Sequence, residues 1–147
     1  MNTTDTVLQE QADHAHKVQN DDAKDMSVFA AGDVMPQGDL YIVGLKSLPK
    51  SAKPRMLRQL AEGGTRGSQH VHEGGDIYDC DPGEVVSCIK YATGREIAPQ
   101  YIGPVFVGGS IRHPEHGDHE NYPAGQVCAV VYQRSLDAEE REARVQD

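Results

Sequence analysis

From Gly38 onward the chain consists of short apolar runs cut by glycine or proline roughly every 8 to 12 residues, the punctuation of an all-β domain. The runs are Leu40–Leu45, Met56–Leu60, Gln69–His72, Asp76–Cys80, Val85–Tyr91, Tyr101–Val107 and Gln126–Gln133, and each predicts a strand. Met56, Leu57 and Leu60 also fit one helical turn. In the last run Val127, Ala129 and Val131 alternate with Cys128, Val130 and Tyr132, so both faces are apolar and the strand is expected at the centre of its sheet. These runs predict a small barrel or sandwich over residues 38–136. Beyond it, Asp137 is placed to cap a helix with Glu140 at the reciprocal capping-box position, which predicts a short C-terminal helix over 137–147. The Gly63-Gly64, Gly74-Gly75 and Gly108-Gly109 pairs are expected to be turns between strands.

The start of the chain has a different texture. Val7, Leu8, Val18 and Met26 are too sparse among Asp, Gln and Asn to build a core, so residues 1–37 are expected to form a flexible acidic arm. A length of 147 residues supports one domain with such a tail. Charge is segregated: residues 1–39 carry a net −6, residues 40–69 a net +5, and the remainder is acidic again, for −9 overall. One short basic stretch in an acidic chain excludes wrapping of a nucleic-acid backbone, which needs sustained positive surface. Lys46, Lys50, Lys53, Arg55 and Arg58 suit a solvated face or contact with an acidic protein surface. No apolar run reaches the roughly 20 residues of a membrane helix, and the first residues lack the basic-then-apolar order of a signal peptide. The expected location is therefore cytoplasmic or virion-associated, and three cysteines without a pairing pattern suit a reducing compartment.

The densest chemistry lies in the histidines. His70 and His72 stand at i and i+2 of a predicted strand, on one face with α-carbons about 7 Å apart, where two imidazoles can share an ion. His113 and His116 follow a strand and a Gly-Gly pair, with Pro114 holding His113 out of helical geometry. Together His70, His72, His113 and His116 form a candidate set of ligands for a divalent transition metal, Zn or Fe. Glu115 and Glu73 are candidate outer partners that would fix an imidazole tautomer. His119, between acids in a Gly-rich segment, reads as a solvated turn residue, and His14 and His16 as incidental. Cys88 and Cys128 read as small buried hydrophobes, and Cys80, flanked by acids, as a poor nucleophile. No nucleotide-binding or nucleophile-elbow motif is present.

Several of these segments occur in an order with a parallel elsewhere. Leu60-Ala61-Glu62-Gly63 leads through Gly67 to His70-Val71-His72; then come Ile111-Arg112-His113-Pro114-Glu115-His116, Tyr122-Pro123-Ala124-Gly125, Tyr132-Gln133-Arg134 and a close on Arg144-Val145-Gln146-Asp147. The series resembles a group of small, largely uncharacterised proteins of bacteria and tailed phages, over about residues 40 to 147. The resemblance implies a β-rich domain that brings the two histidine pairs together, and it implies no particular activity. The chain departs from the group's pattern at Gln69, at Gly125–Cys128 and in its long acidic start. Cupin-like histidine usage is an analogy only, since no histidine follows Pro123–Gly125.

Three readings of function follow. The first is a structural or assembly protein, such as a phage head-decoration or cement component, whose acidic arm joins a protein assembly or homo-oligomer and whose β-domain is tied by the metal. The second is a cupin-like metal-dependent enzyme with an open coordination position, in which Glu115 would be the base. The third is a plain protein-binding module.

Overall fold

The computed structural model of the chain describes residues 23–60, 70–114 and 117–133. The strands are β1 (Lys24–Asp25), β2 (Val34–Gln37), β3 (Leu40–Leu45), β4 (Lys53–Pro54), β5 (Val71–Glu73), β6 (Asp76–Asp79), β7 (Ile102–Arg112) and β8 (His119–Tyr132). All eight belong to one sheet of order β2-β3-β8-β7-β6-β4, with β1 added beside β8 and β5 beside β7. Every pairing is antiparallel except β1 with β8. The long β7–β8 pair is the spine, and each of its halves has its own flanking strands. Its open half carries β3 on one side and β6 on the other; its closed end carries β1 and β5.

Alternation in β3 and β8 explains why the spine is buried on both faces. Tyr41, Val43, Leu45, Val127, Ala129 and Val131 point to one side, where they meet Val85 and Ile89 of a helix. Leu40, Ile42, Cys128 and Val130 point to the other and pack with Phe106, Ile77, Ile111, Tyr122, Met26 and Phe29. The final apolar run is central, between β3 and β7, as its two apolar faces require.

Two predicted strands are corrected. Val85–Tyr91 lies within helix α1 (Pro82–Thr93): Asp81 accepts from the Glu84 amide as N-cap, Pro82 opens the first turn, and Gly94 closes the helix in the left-handed region at φ 78°. Val85 and Ile89 stand four residues apart and share the buried face, a helical spacing that β-branched content disguised as a strand. Met56–Leu60 is a loop with a single bridge, Gln59 to Val71; Leu60 is buried while Met56 and Leu57 are exposed.

The composition-based arm also contributes to the core. Within residues 23–37, β1 and β2 join the sheet, and Met26 and Phe29 are buried. The Gly108-Gly109 pair is a bulge in the middle of β7 rather than a turn between strands. Both glycines take positive φ (63° and 84°) where the register with β8 shifts. The predicted helix at 137–147, Gly63-Gly64 and residues 1–22 lie outside the described residues.

Candidate functional site

Four histidines are buried at the closed end of the spine: His70 and His72 at 0% exposure, His119 at 1% and His113 at 6%. His70 precedes β5, His113 follows β7 and His119 opens β8, so the β5–β7–β8 pairing brings them to one end of the sheet. The rings of His70 and His113 meet at a centroid distance of 4.3 Å. His116 and Glu115 lie outside the described residues.

His70 is held from β2 and the turn after it. The Gln37 side-chain nitrogen donates to the carbonyls of Ile111 (3.2 Å) and Gly117 (3.1 Å), which fixes the amide orientation. Its oxygen is thereby turned to His70 Nδ1 at 3.0 Å, and that nitrogen must donate. His70 Nε2 lies 3.0 Å from a carboxylate oxygen of Asp39, so acceptors face both sides of the ring.

His72 has a different task. Arginine only donates and a carbonyl only accepts, so the Arg58 guanidinium at 3.1 Å fixes Nδ1 as acceptor and the Gly108 carbonyl at 2.8 Å fixes Nε2 as donor. The ring is therefore neutral, and burial holds its pKa below the ordinary histidine value. Its job is to tie β5 to the bulge in β7, with Phe106 packed at 4.7 Å between centroids. Among the described residues no three His, Cys, Asp or Glu side chains gather around one point. With both nitrogens of His72 engaged, the HxH pair does not present two free imidazole lone pairs to an ion.

His119 was expected in a solvated turn and is instead one of the most buried side chains. A strand sends i and i+3 to opposite faces, but Asn121 between them takes φ 65°, and this brings the Tyr122 hydroxyl to His119 Nδ1 at 2.8 Å. The ring also donates to the Pro36 carbonyl. Burial first, and His70 second, push its pKa down to about 4. Burial also raises the Tyr122 phenol well above its ordinary value. The Asn121 position in His-Glu-Asn-Tyr was the sequence signal available, since Asn tolerates the left-handed region. Gln37 and Asp39 carried no such signal.

Glu73, expected beside the metal, instead joins a surface cluster around Arg112. The guanidinium meets Glu73 at 2.6 Å, Glu120 at 2.5 Å and Asp118 at 3.2 Å, tying β5, β7 and β8 together. Beside it lies an open cleft of about 710 Å³ over Gly74, Gly75, Gly108 and Gly109, rimmed by Ser110, Arg112 and Asn121. The basic stretch is partly engaged at the surface: Arg55 pairs with Asp79, Arg58 binds His72 and Gly75, and Lys46 lies over the exposed Tyr91 ring. Cys128 is buried and Cys88 half-buried; burial, with Glu84 and Asp79 near, lifts the Cys80 thiol to about 11, which suits none of the three to nucleophilic work.

Among the described residues no helix is long and apolar enough to cross a membrane. Compared with known proteins, the chain matches no family model, no curated protein and no solved structure.

Proposed function

We propose that this chain is a structural module of a protein assembly, in the class of phage head-decoration or cement proteins, whose histidines hold the fold. The carrying observation is that no buried side-chain nitrogen or oxygen among the described residues lacks a hydrogen-bond partner. A catalytic centre keeps donors or acceptors in reserve for its substrate, whereas the groups lining this cluster are spent on one another. Support also comes from Arg112, the cation beside the cleft, which three carboxylates already engage.

A cupin-like enzyme would need three protein donors around an open position, and His72 is committed to Arg58 and Gly108. In this reading the fold is held without an ion, so a chelator should leave the melting temperature unchanged. A fall of several degrees, with stoichiometric zinc or iron in the untreated protein, would restore the metal.

In the same reading the acidic start is the assembling arm, with its boundary ahead of β1. The full chain is expected to sediment as a complex, alone or with particles, and a chain lacking residues 1–22 is expected to fold and to sediment as a monomer. A full chain that stays monomeric at every concentration and binds no particle would remove the assembly role.

A further inference from the structure

We propose that the histidine cluster is an acid-opened latch, in which protonation of His119 frees β1 and the adjoining edge of β2 while the β3–β8–β7 spine stays folded. This inference rests on the cluster alone and stands whether or not the chain assembles.

The geometry gives His119 no room for a charge. Its ring is sealed among β1, β2 and β8, with one nitrogen accepting from Tyr122 and the other donating to the Pro36 carbonyl. Adding a proton at Nδ1 removes the acceptor that the Tyr122 hydroxyl uses and places an imidazolium in a site closed to water. The charged and titratable groups that face it are Lys24 from β1, His70 ahead of β5 and Asp118 ahead of β8. His70 and Lys24 oppose the added charge, and Asp118 favours it. His70 itself has an acceptor on each side, the Gln37 amide oxygen at Nδ1 and an Asp39 carboxylate oxygen at Nε2.

The element best able to yield is β1. It is two residues long, pairs with His119 and Glu120, and is held by the Lys24 amide on the Asp118 carbonyl (2.7 Å) and the Met26 amide on the Glu120 carbonyl (2.6 Å). The spine at Cys128 and Ala129 is by contrast paired on both sides, with β3 and β7, and Val130 is paired with Ile42 of β3. Opening that wets His119 takes up one proton over the interval from its free value of 6.5 to about 4. The opening equilibrium therefore rises about tenfold for each pH unit that falls within that interval.

The test is amide hydrogen exchange on the full chain, followed by NMR from about pH 7.5 to about pH 4.5 and corrected for the intrinsic pH dependence of exchange. Protection at Lys24 and Met26 should fall about tenfold per pH unit below about 6.5 while Ala129 and Val130 keep theirs. His119→Gln, neutral throughout, should hold protection at Lys24 and Met26 level. Constant protection in the unmodified chain, loss in step with Ala129 and Val130, or the same fall at Lys24 and Met26 in His119→Gln would each overturn the latch. If His119→Gln does not fold, the two outcomes in the unmodified chain decide.

Discussion

At the scale of single residues, the buried polar contacts depend on tautomers that neighbouring atoms dictate, and this makes their loss predictable. His72→Phe keeps a ring beside Phe106 but leaves the buried Gly108 carbonyl unpaired and returns one Arg58 donor to solvent, and should cost about 1–3 kcal/mol in urea unfolding at neutral pH. Because the folded pKa of His72 is lowered, the unfolded chain binds the proton first as pH falls below 6.5. The contribution of His72 is therefore complete above that value and shrinks in acid, so the gap between wild type and His72→Phe should narrow by pH 5; a gap that widens would contradict the neutral tautomer. Glycine 109 is constrained twice. At φ 84° an added Cβ would run into the Glu73 carbonyl and lie 2.9 Å from the Gly75 nitrogen, whereas at Gly125, with the same φ, it meets nothing within 4 Å. Gly125→Ala should cost about 1–2 kcal/mol for backbone conformation alone. Gly109→Ala should exceed it by about 2 kcal/mol or more, since backbone cannot rotate away. Equal melting temperatures for the two variants would show that the bulge is not packed as tightly as its geometry demands.

At the scale of elements, what could be read from the sequence was the part written in periodicity. The run Gln126–Gln133 announced a central strand because both its faces are apolar, and Leu40–Leu45 pairs with it residue for residue. The helix was hidden by a short β-branched run, although Asp81, Pro82, Glu84 and Gly94 mark its two ends; on a run this short, capping chemistry is the better discriminator. Asp81→Ala should lower stability by about 1 kcal/mol, seen as a lower thermal midpoint in circular dichroism, by removing the acceptor for the Glu84 amide. No change would mean that Ser51, which donates to Glu84, holds the first turn without the cap. Of the four-histidine set, the meeting of His70 with His113 was legible from motif order. The partners that decide what those rings do were not, because Gln37, Asp39, Arg58 and Tyr122 reach them through register and bulges that no local pattern encodes.

At the scale of the whole molecule, the stretch before Gly38 is where composition and packing diverge most. Counted along the sequence, its apolar residues are too few for a core of their own. In the fold two of them complete a core that the rest of the chain begins. Met26 and Phe29 close the side of the sheet opposite α1, where Phe29 meets Tyr122 edge-on at 5.2 Å and Tyr122 in turn packs on Phe106. At about 1.5–3 kcal/mol for each large apolar side chain, the two together contribute roughly 3–6 kcal/mol. That is a large fraction of the roughly 5–15 kcal/mol by which domains are stable at all. Truncation should therefore show a threshold rather than a slope. Removing residues 1–22 should leave a cooperative unfolding transition, whereas removing residues 1–33 takes away β1, Met26 and Phe29, uncovers Tyr122 and Phe106, and should abolish the transition or leave a dye-binding, aggregation-prone chain. A truncation to residue 34 that still melts cooperatively at the wild-type temperature would show that the second face of the sheet is closed by something other than these two side chains.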